Sequence, residues 1–307
     1  MYRKKSIGVA IPAYNESKLI EKTLGSVPSY VDKIYAIDDG SKDDTAEKIK
    51  NFDDSRVVLI QQKNGGVGAA VTAGYKKALE DHIDIVAVMA GDNQMDPLYL
   101  PDLLDPIIDG KAEYTKGNRL LNSKYRKGMS AWRSLGNYTL SFLNKIASGY
   151  WDLEDPQNGY TAISSRALKR LNLDKVYKGY AFENDMLVKL NVHDISVKNV
   201  PIPAKYADEK SKIRYSRFIV KTSFYFVKAL TWRSWNKYVV NMNPIGIIYL
   251  MASFITVSGF FALFALKVLY ILLGFSLFGV AAFSEILRDR FLDVEFSKEM
   301  EPTALNE

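Results

Sequence analysis

Three short polar segments follow apolar runs in the first hundred residues, and their side chains are suited to binding phosphate compounds and metal ions. They read PAYNE at 12–16, DDGSKDDT at 38–45 and GDNQMDP at 91–97. Carboxylates and amides at such positions can hydrogen-bond a nucleotide or coordinate a hard divalent cation. An apolar run that stops abruptly at Asp92 is typical of a buried strand that delivers a metal ligand. The segments therefore predict a ligand site where several strands end.

The composition limits the classes of protein to consider. The chain has 307 residues, of which 48% are hydrophobic and 25% charged, which indicates a globular protein. Its net charge of +6 favours an anionic partner. The candidates are a nucleic acid, a phosphate-bearing substrate and an anionic membrane surface. The absence of cysteine excludes disulfides and thiolate metal sites, and the two histidines are too few for a histidine-based zinc site.

The elements that must position these segments alternate between strands and helices up to about residue 200. The predicted strands are 6–11, 33–38, 56–60, 83–90 and 113–116, and the predicted helices lie near 16–27, 44–52, 67–80 and 98–109. Near-continuous apolar strands separated by helices predict an α/β fold with a mostly parallel sheet and helices on both faces. Ligands of such folds bind beyond the carboxyl ends of the strands, where the three segments lie.

The composition changes from Ser216 onward. Residues 216–243 mix Arg and Lys with aromatic residues at helical spacing, which suits a helix in a membrane interface; the alternative is an amphipathic helix packed on the domain. Residues 245–284 are almost wholly apolar apart from Lys267, which predicts two membrane crossings with Lys267 in the turn between them. One long tilted helix, or a hairpin that only dips into the bilayer, is the alternative. Basic residues flank both outer ends, so both ends are predicted to face the cytoplasm.

The three segments, in this order and spacing, resemble the GT-A glycosyltransferases of family 2. The resemblance extends over residues 6–213 and is strongest to the branch that transfers a sugar from a nucleotide to a polyprenyl phosphate, the dolichol-phosphate mannose synthase type. It implies a Rossmann-like catalytic domain at 1–213. Amphipathic interfacial helices at 214–243, two transmembrane helices at 244–286 and a cytoplasmic tail at 287–307 complete the expected organisation.

The resemblance implies a nucleotide site and a metal site. The expected nucleotide-binding residues are Pro12, Tyr14, Asn15, Glu16, Asp39, Asp92, Lys210, Ser211 and Lys212. Tyr14 is suited to stacking on the base, Asp39 matches the position that accepts the base imide, and Asn15 is also expected to cap the next helix. Asp92 and Gln94 match the family's metal segment, whose first carboxylate is replaced here by Ala90.

A metal site with one carboxylate remains feasible. Asp92, the Gln94 carbonyl, two diphosphate oxygens and water can complete six ligands around Mg²⁺ or Mn²⁺. Asp96 precedes Pro97 and is predicted to be a helix N-cap, with a role as the missing metal ligand as the alternative.

The acceptor side follows from later segments. Arg119, Arg133 and Asn137 match the residues that hold the lipid phosphate in the resembled branch, and two arginines suit bidentate phosphate binding. Asp185 falls near the position of the catalytic base in hydroxyl-using relatives. Because a phosphate acceptor is already mostly ionised at neutral pH, Asp185 and Glu183 are interpreted as positioning residues.

These expectations combine into one hypothesis. An inverting, metal-dependent enzyme of the cell membrane, with multiple crossings and a cytoplasmic catalytic domain, moves a sugar from a UDP- or GDP-sugar to polyprenyl phosphate. Its partners are the donor, the lipid and the bilayer, with no nucleic acid; a homo-oligomer is left open. The alternatives are a polysaccharide synthase that uses a hydroxyl acceptor, and an inactive membrane sensor of nucleotide-sugars.

Overall fold

The computed structural model describes residues 1–120, 131–179, 181–203, 215–261 and 264–299, and it describes no side chains for 131–139, 215–223, 260–267 and 292–299. The strands are β1 (Ile7–Ala13), β2 (Lys33–Asp38), β3 (Val57–Gln61), β4 (Ile85–Val88), β5 (Tyr114–Asn118), β6 (Thr161–Ser164) and β7 (Val197–Pro201). The helices are α1 (Ile20–Ser26), α2 (Thr45–Lys50), α3 (Val67–Glu80), α4 (Leu100–Ile108), α5 (Ala131–Ser148), α6 (Ser165–Arg170), α7 (Phe182–Val192), α8 (Tyr215–Ser234), α9 (Pro244–Phe261) and α10 (Phe264–Glu299).

The described strands form one sheet in the order β3-β2-β1-β4-β6-β5-β7. The strands β1 to β4 pair in parallel, as the sequence predicts, and β7 pairs in parallel with β5. The strand β6 runs antiparallel to both neighbours. Neither β6 nor β7 is among the predicted strands, since each has only four or five residues and little continuous apolar pattern. The predicted α/β class with a mostly parallel sheet is confirmed.

Helices cover both faces of the sheet. One core packs α3, α6 and α7 on the sheet, and the other packs α1 and α4 on the opposite face. Helix α3 approaches the sheet closely at Gly74, where an added Cβ would lie 2.8 Å from the Cβ of Ala10. Gly74 therefore allows α3 to pack closely on the sheet.

The C-terminal helices follow the part of the chain that forms the sheet. Helix α8 packs on α5 and α7 through Phe226 and Ala229, and a π-helical turn (Trp235–Val239) leads toward α9. Helices α9 and α10 lie against each other in opposite directions, with Gly259 facing Tyr270 and Gly274 facing Thr256.

The two apolar helices differ in length and do not match the predicted boundaries. Val268–Phe291 in α10 is long and apolar enough to cross a membrane, whereas the apolar part of α9, Pro244–Gly259, is shorter. Lys267 lies in the first turn of α10 and not in the turn between the helices, and α10 continues beyond residue 286 to Glu299. The sequence analysis missed this extension because charged residues enter α10 at Glu285 without ending the helix. Both helices expose large apolar side chains, including Phe254, Leu269 and Phe275.

Candidate active site

The loops after β1, β2 and β4 meet at one edge of the sheet. The strand β1 lies between β2 and β4, so the carboxyl ends of all three are neighbours. The Gly91 N–H donates to the Pro12 carbonyl at 3.2 Å, and the Asp39 N–H donates to the Ala13 carbonyl at 2.9 Å. These bonds bring together the predicted base-binding and metal-binding segments, which are separated by about fifty residues or more along the chain.

The PAYNE segment is fixed to the loop after β2. Asn15 has a left-handed backbone with φ of 57°, and its side-chain Oδ1 accepts a hydrogen bond from the Lys42 N–H at 2.8 Å. The Glu16 N–H donates to the Thr45 hydroxyl at 2.8 Å. The prediction that Asn15 caps the next helix is wrong, because α1 begins only at Ile20 and Asn15 holds the two loops together. Tyr14 is 43% exposed, so its ring is accessible.

Asp39 has a structural role that the sequence analysis missed. Its buried carboxylate accepts hydrogen bonds from Gln62 Nε2 at 2.6 Å and from the N–H groups of Gly65 and Gly66, both at 2.8 Å. Gly66 precedes α3 with φ of 90°, a conformation that favours glycine. Asp39 therefore holds the turn at the start of α3 beside the nucleotide segment. The paired glycines directly before a predicted helix were the available signal.

The segment after β4 forms a tight turn at Asp92. Asp92 is partly buried, and its Oδ1 accepts a hydrogen bond from the Gln94 N–H at 3.0 Å. Asn93 between them has a left-handed φ of 56°, and the Ala90 N–H contacts the Met95 sulfur at 3.2 Å. The turn thus fixes the backbone around Asp92.

The donor chemistry of this turn fits a hard divalent cation, but the protein supplies few ligands. Asp92 and Gln94 offer oxygen atoms of the kind that Mg²⁺ and Mn²⁺ prefer. Within the described residues, no three acidic, histidine or cysteine side chains are grouped as a metal site. Asp96 accepts a hydrogen bond from the Leu98 N–H at 3.0 Å and caps the short 3₁₀ helix at Pro97–Tyr99, which confirms its predicted capping role.

Arg119 at the end of β5 is held by Asp155. Its Nε and Nη2 atoms donate to the two oxygens of Asp155 at 2.7 and 2.8 Å, and Asp155 is buried. Arg133 and Asn137 lie in the first half of α5, but their side chains are outside the described residues, as is the whole segment that contains Lys210, Ser211 and Lys212.

A buried lysine, which the sequence analysis missed, lies beside the loop before β6. Lys116 of β5 is fully buried and donates to the Asn158 carbonyl. Burial lowers the pKa of Lys116 to about 8, and burial raises the pKa of Glu183, which the Lys116 charge opposes. A Cβ at Gly159 would lie 3.3 Å from Met95 Cε and 3.7 Å from Glu183 Oε1. Lys116 therefore holds the loop before β6, and its charge acts electrostatically on Glu183 at the N-terminus of α7.

Asp185 lies on a different side of α7 from Glu183. Its carboxylate accepts hydrogen bonds from the Tyr177 N–H at 2.8 Å and the Tyr225 hydroxyl at 3.2 Å, and it pairs with Lys189 at 3.2 Å. Residues two apart on a helix do not share a face. Asp185 thus faces α8, whereas Glu183 lies beside Gly159 in the loop before β6.

Replacing Lys116 with Met should change how stability depends on pH. Burial lowers the pKa of Lys116 from 10.5 to about 8, so between these values the unfolded chain holds more protons on this residue than the folded chain. The wild type should gain stability relative to Lys116→Met as the pH rises through that range, by on the order of 3 kcal/mol. Denaturant titrations of both proteins in mild detergent, at about pH 7.5 and about pH 10, measure the difference. If the difference in free energy of unfolding between the two proteins is the same at both pH values, the pKa of Lys116 is not lowered by burial.

The sequence matches a known family and several characterised relatives. The profile described as "Glycosyl transferase family 2" matches residues 8–171. UDP-N-acetylglucosamine–dolichyl-phosphate N-acetylglucosaminyltransferase of Methanococcus voltae is 33% identical over 220 residues, which cover 66% of this chain and 87% of that protein. Undecaprenyl-phosphate mannosyltransferase of Micrococcus luteus is 29% identical, covering 62% of this chain and 80% of the relative.

Solved structures share the fold. Glucosyl-3-phosphoglycerate synthase from Mycobacterium tuberculosis, in complex with Mn²⁺, UDP and phosphoglyceric acid, superposes with a TM-score of 0.55 at 18% identity. The match covers 75% of this chain and 78% of that one. At this identity the likeness supports the arrangement of the sheet and its flanking helices alone.

Proposed function

Since this chain belongs to glycosyltransferase family 2, we propose that it transfers a sugar from a UDP- or GDP-sugar to a polyprenyl phosphate at the cytoplasmic face of a membrane. The observation that carries the proposal is the direct connection between the site and a membrane-suited surface. Helix α8 packs beside α7 with Tyr225 on Asp185, and it leads into the exposed apolar helices α9 and α10. A lipid acceptor would be delivered along this route.

On the donor side, the roles follow the placement of each segment. The accessible Tyr14 ring would stack on the base. Asp39, beside the start of α3, would accept a hydrogen bond from the imide N–H of the base. Asp92 and Gln94 would hold Mg²⁺ or Mn²⁺ together with the diphosphate. The cation, when bound, supplies positive charge that stabilises the leaving diphosphate.

On the acceptor side, no enzyme nucleophile is required. A phosphate monoester with a second pKa near 6 is already mostly dianionic at neutral pH, so it attacks the sugar without a strong base. Arg119, with Arg133 and Asn137 of α5, would align the phosphate, and a single in-line displacement inverts the anomeric centre. Asp185 would position α7 against α8 through Tyr225.

Metal affinity should depend on the nucleotide. Among the described residues no three acidic, histidine or cysteine side chains are grouped to hold a metal, so Mn²⁺ alone should bind weakly, whereas Mn²⁺ with UDP or GDP should bind at least about tenfold more tightly. Calorimetric titration of the detergent-purified protein with Mn²⁺, with and without nucleotide, measures both affinities. Tight binding without nucleotide would point to another carboxylate, with Asp96 as the first candidate.

The proposed reaction is tested by the solubility of the product. Membranes that contain the protein are incubated with radiolabelled UDP- and GDP-sugars and a polyprenyl phosphate, and the product is partitioned between organic and aqueous phases. Label extracted into the organic phase supports the proposal and identifies the sugar and nucleotide. A water-soluble polymer would instead favour the polysaccharide synthase, and nucleotide binding without turnover would favour the sensor.

A further inference from the structure

A fully buried ion pair joins the catalytic domain to the apolar helices. Glu285 lies within the apolar stretch Val268–Phe291 of α10, and its side chain is 0% exposed. It pairs with Arg233 of α8, also 0% exposed, through two contacts, one of them from Nη2 to Oε2 at 3.3 Å. A charge in the middle of an apolar helix needs such a partner, since an unpaired buried carboxylate is strongly unfavourable.

Two tyrosines complete the hydrogen bonds of Glu285. The Tyr238 hydroxyl donates to Oε1 at 2.6 Å, and the Tyr249 hydroxyl of α9 donates to Oε2 at 3.1 Å. The carboxylate therefore holds α8, the π-helical turn and α9 together at one point. This side of α10 faces protein, although the helix exposes Phe283 and Leu287 nearby.

Arg233 extends the connection into the catalytic domain. Its Nε donates to the Ala147 carbonyl at 2.9 Å and its Nη2 to the Ile146 carbonyl at 3.1 Å, both in the last turn of α5. Its Nη1 also reaches Asn191 Oδ1 of α7 at 3.4 Å. One guanidinium thus binds the C-terminal ends of α5 and α7 and, through Glu285, the helix α10.

The opposite ends of α5 and α7 carry the acceptor-side residues. Arg133 precedes Ala147 by fourteen positions on α5, and Glu183 precedes Asn191 by eight on α7. At 1.5 Å per residue these distances along the helices are about 21 and 12 Å. Two rigid helices therefore relate the position of the acceptor site to that of the buried pair.

We infer that Arg233 and Glu285 position the catalytic domain at a fixed height and angle relative to the membrane helices, so that a membrane-bound lipid phosphate reaches the acceptor site. This inference rests on the proposed function. A hydrophobic pair of similar size can match the stability of a buried ion pair, but it lacks the directional bonds that select one arrangement. The two residues are thus positioning residues for an acceptor held in a bilayer and have no effect on the chemical step itself.

The test compares two acceptors. The first is a long-chain polyprenyl phosphate in vesicles that contain the full protein. The second is a water-soluble analogue of about two isoprene units, which is too short to anchor in the bilayer. The variant Arg233→Met/Glu285→Leu removes both charges together, and Glu285→Gln retains the shape while weakening the pair. The matched control is Arg3→Met/Asp105→Leu, which removes an exposed ion pair far from α10.

For the long-chain acceptor, kcat/KM of the double variant should be at least about tenfold lower than that of the wild type. For the short acceptor, kcat/KM should stay within about threefold of the wild-type value. Glu285→Gln should show the same selective loss to a smaller extent, and the control should match the wild type. Equal losses with both acceptors would overturn the inference, because they would indicate a general structural role. The absence of any loss with either acceptor would overturn it as well. If the wild type uses neither acceptor, the proposed function fails, and the inference fails with it.

Discussion

Asp92→Ala is expected to lower the rate of sugar transfer by roughly a thousandfold, the largest effect of any single change in this chain. Asp92 is the carboxylate that the turn after β4 presents at the cleft, where the Gln94 N–H fixes its orientation. Loss of cation binding there removes several kcal/mol of charge stabilisation from the leaving diphosphate, and each 1.36 kcal/mol corresponds to tenfold in rate. Initial rates with saturating donor, lipid and Mn²⁺ measure the change.

The neighbouring Asp96 provides the matched control. Its carboxylate caps the helix at Pro97 through the Leu98 N–H, so Asp96→Ala should cost about 1 kcal/mol of stability and leave the transfer rate within a few fold of wild type. If Asp92→Ala retained full metal-dependent activity, or if Asp96→Ala were the inactive variant, the assignment of Asp92 as the metal ligand would be wrong.

Arg119→Ala should weaken both the acceptor site and the fold. Removing the guanidinium takes away a charged donor for the acceptor phosphate, which is worth about 2 kcal/mol and corresponds to roughly a thirtyfold rise in the acceptor KM. It also leaves Asp155 buried without its bidentate partner, which should lower the free energy of unfolding by about 3 kcal/mol. Steady-state kinetics with varied lipid and denaturant titration measure the two effects separately.

A second substitution separates these two roles. In Arg119→Ala/Asp155→Asn the buried carboxylate becomes a neutral amide, so most of the stability should return while the acceptor KM stays high. Recovery of the KM together with the stability would show that Arg119 only holds the loop before β6. In that case Arg119 would not be a residue of the acceptor site.

Local patterns in the sequence predict much of this architecture. The apolar runs that become β1 to β4 and the helix at 67–80 follow from periodicity within each segment, and the parallel arrangement places their carboxyl ends together. The pair Asp96 and Pro97 predicts the start of a helix. This prediction needs only two adjacent residues, because an N-cap depends on residues that are neighbours in the chain.

Contacts between distant segments could not be predicted in this way. Asp39 binds the N–H groups of Gly65 and Gly66, twenty-six and twenty-seven positions away; the paired glycines indicate a turn, but their residue type does not identify Asp39 as its partner. The lysine in β5 has polar and glycine neighbours and does not stand out, whereas the glutamate in α10 stands out in an apolar run. Their partners, the Asn158 carbonyl and Arg233, become apparent only when the elements pack. The start of α1 was misplaced because Asn15 binds the loop after β2 instead of its own helix.

The central claim is that the acceptor is a lipid phosphate. The most direct measurement incubates the purified protein, in vesicles, with its preferred nucleotide-sugar and either a polyprenyl phosphate or the polyprenol of the same length, which lacks only the phosphate. Mass spectrometry of the extracted lipid should show the phosphate-containing acceptor enlarged by one sugar residue and the polyprenol unchanged. Transfer to the polyprenol, or release of free sugar with neither lipid modified, would contradict the account.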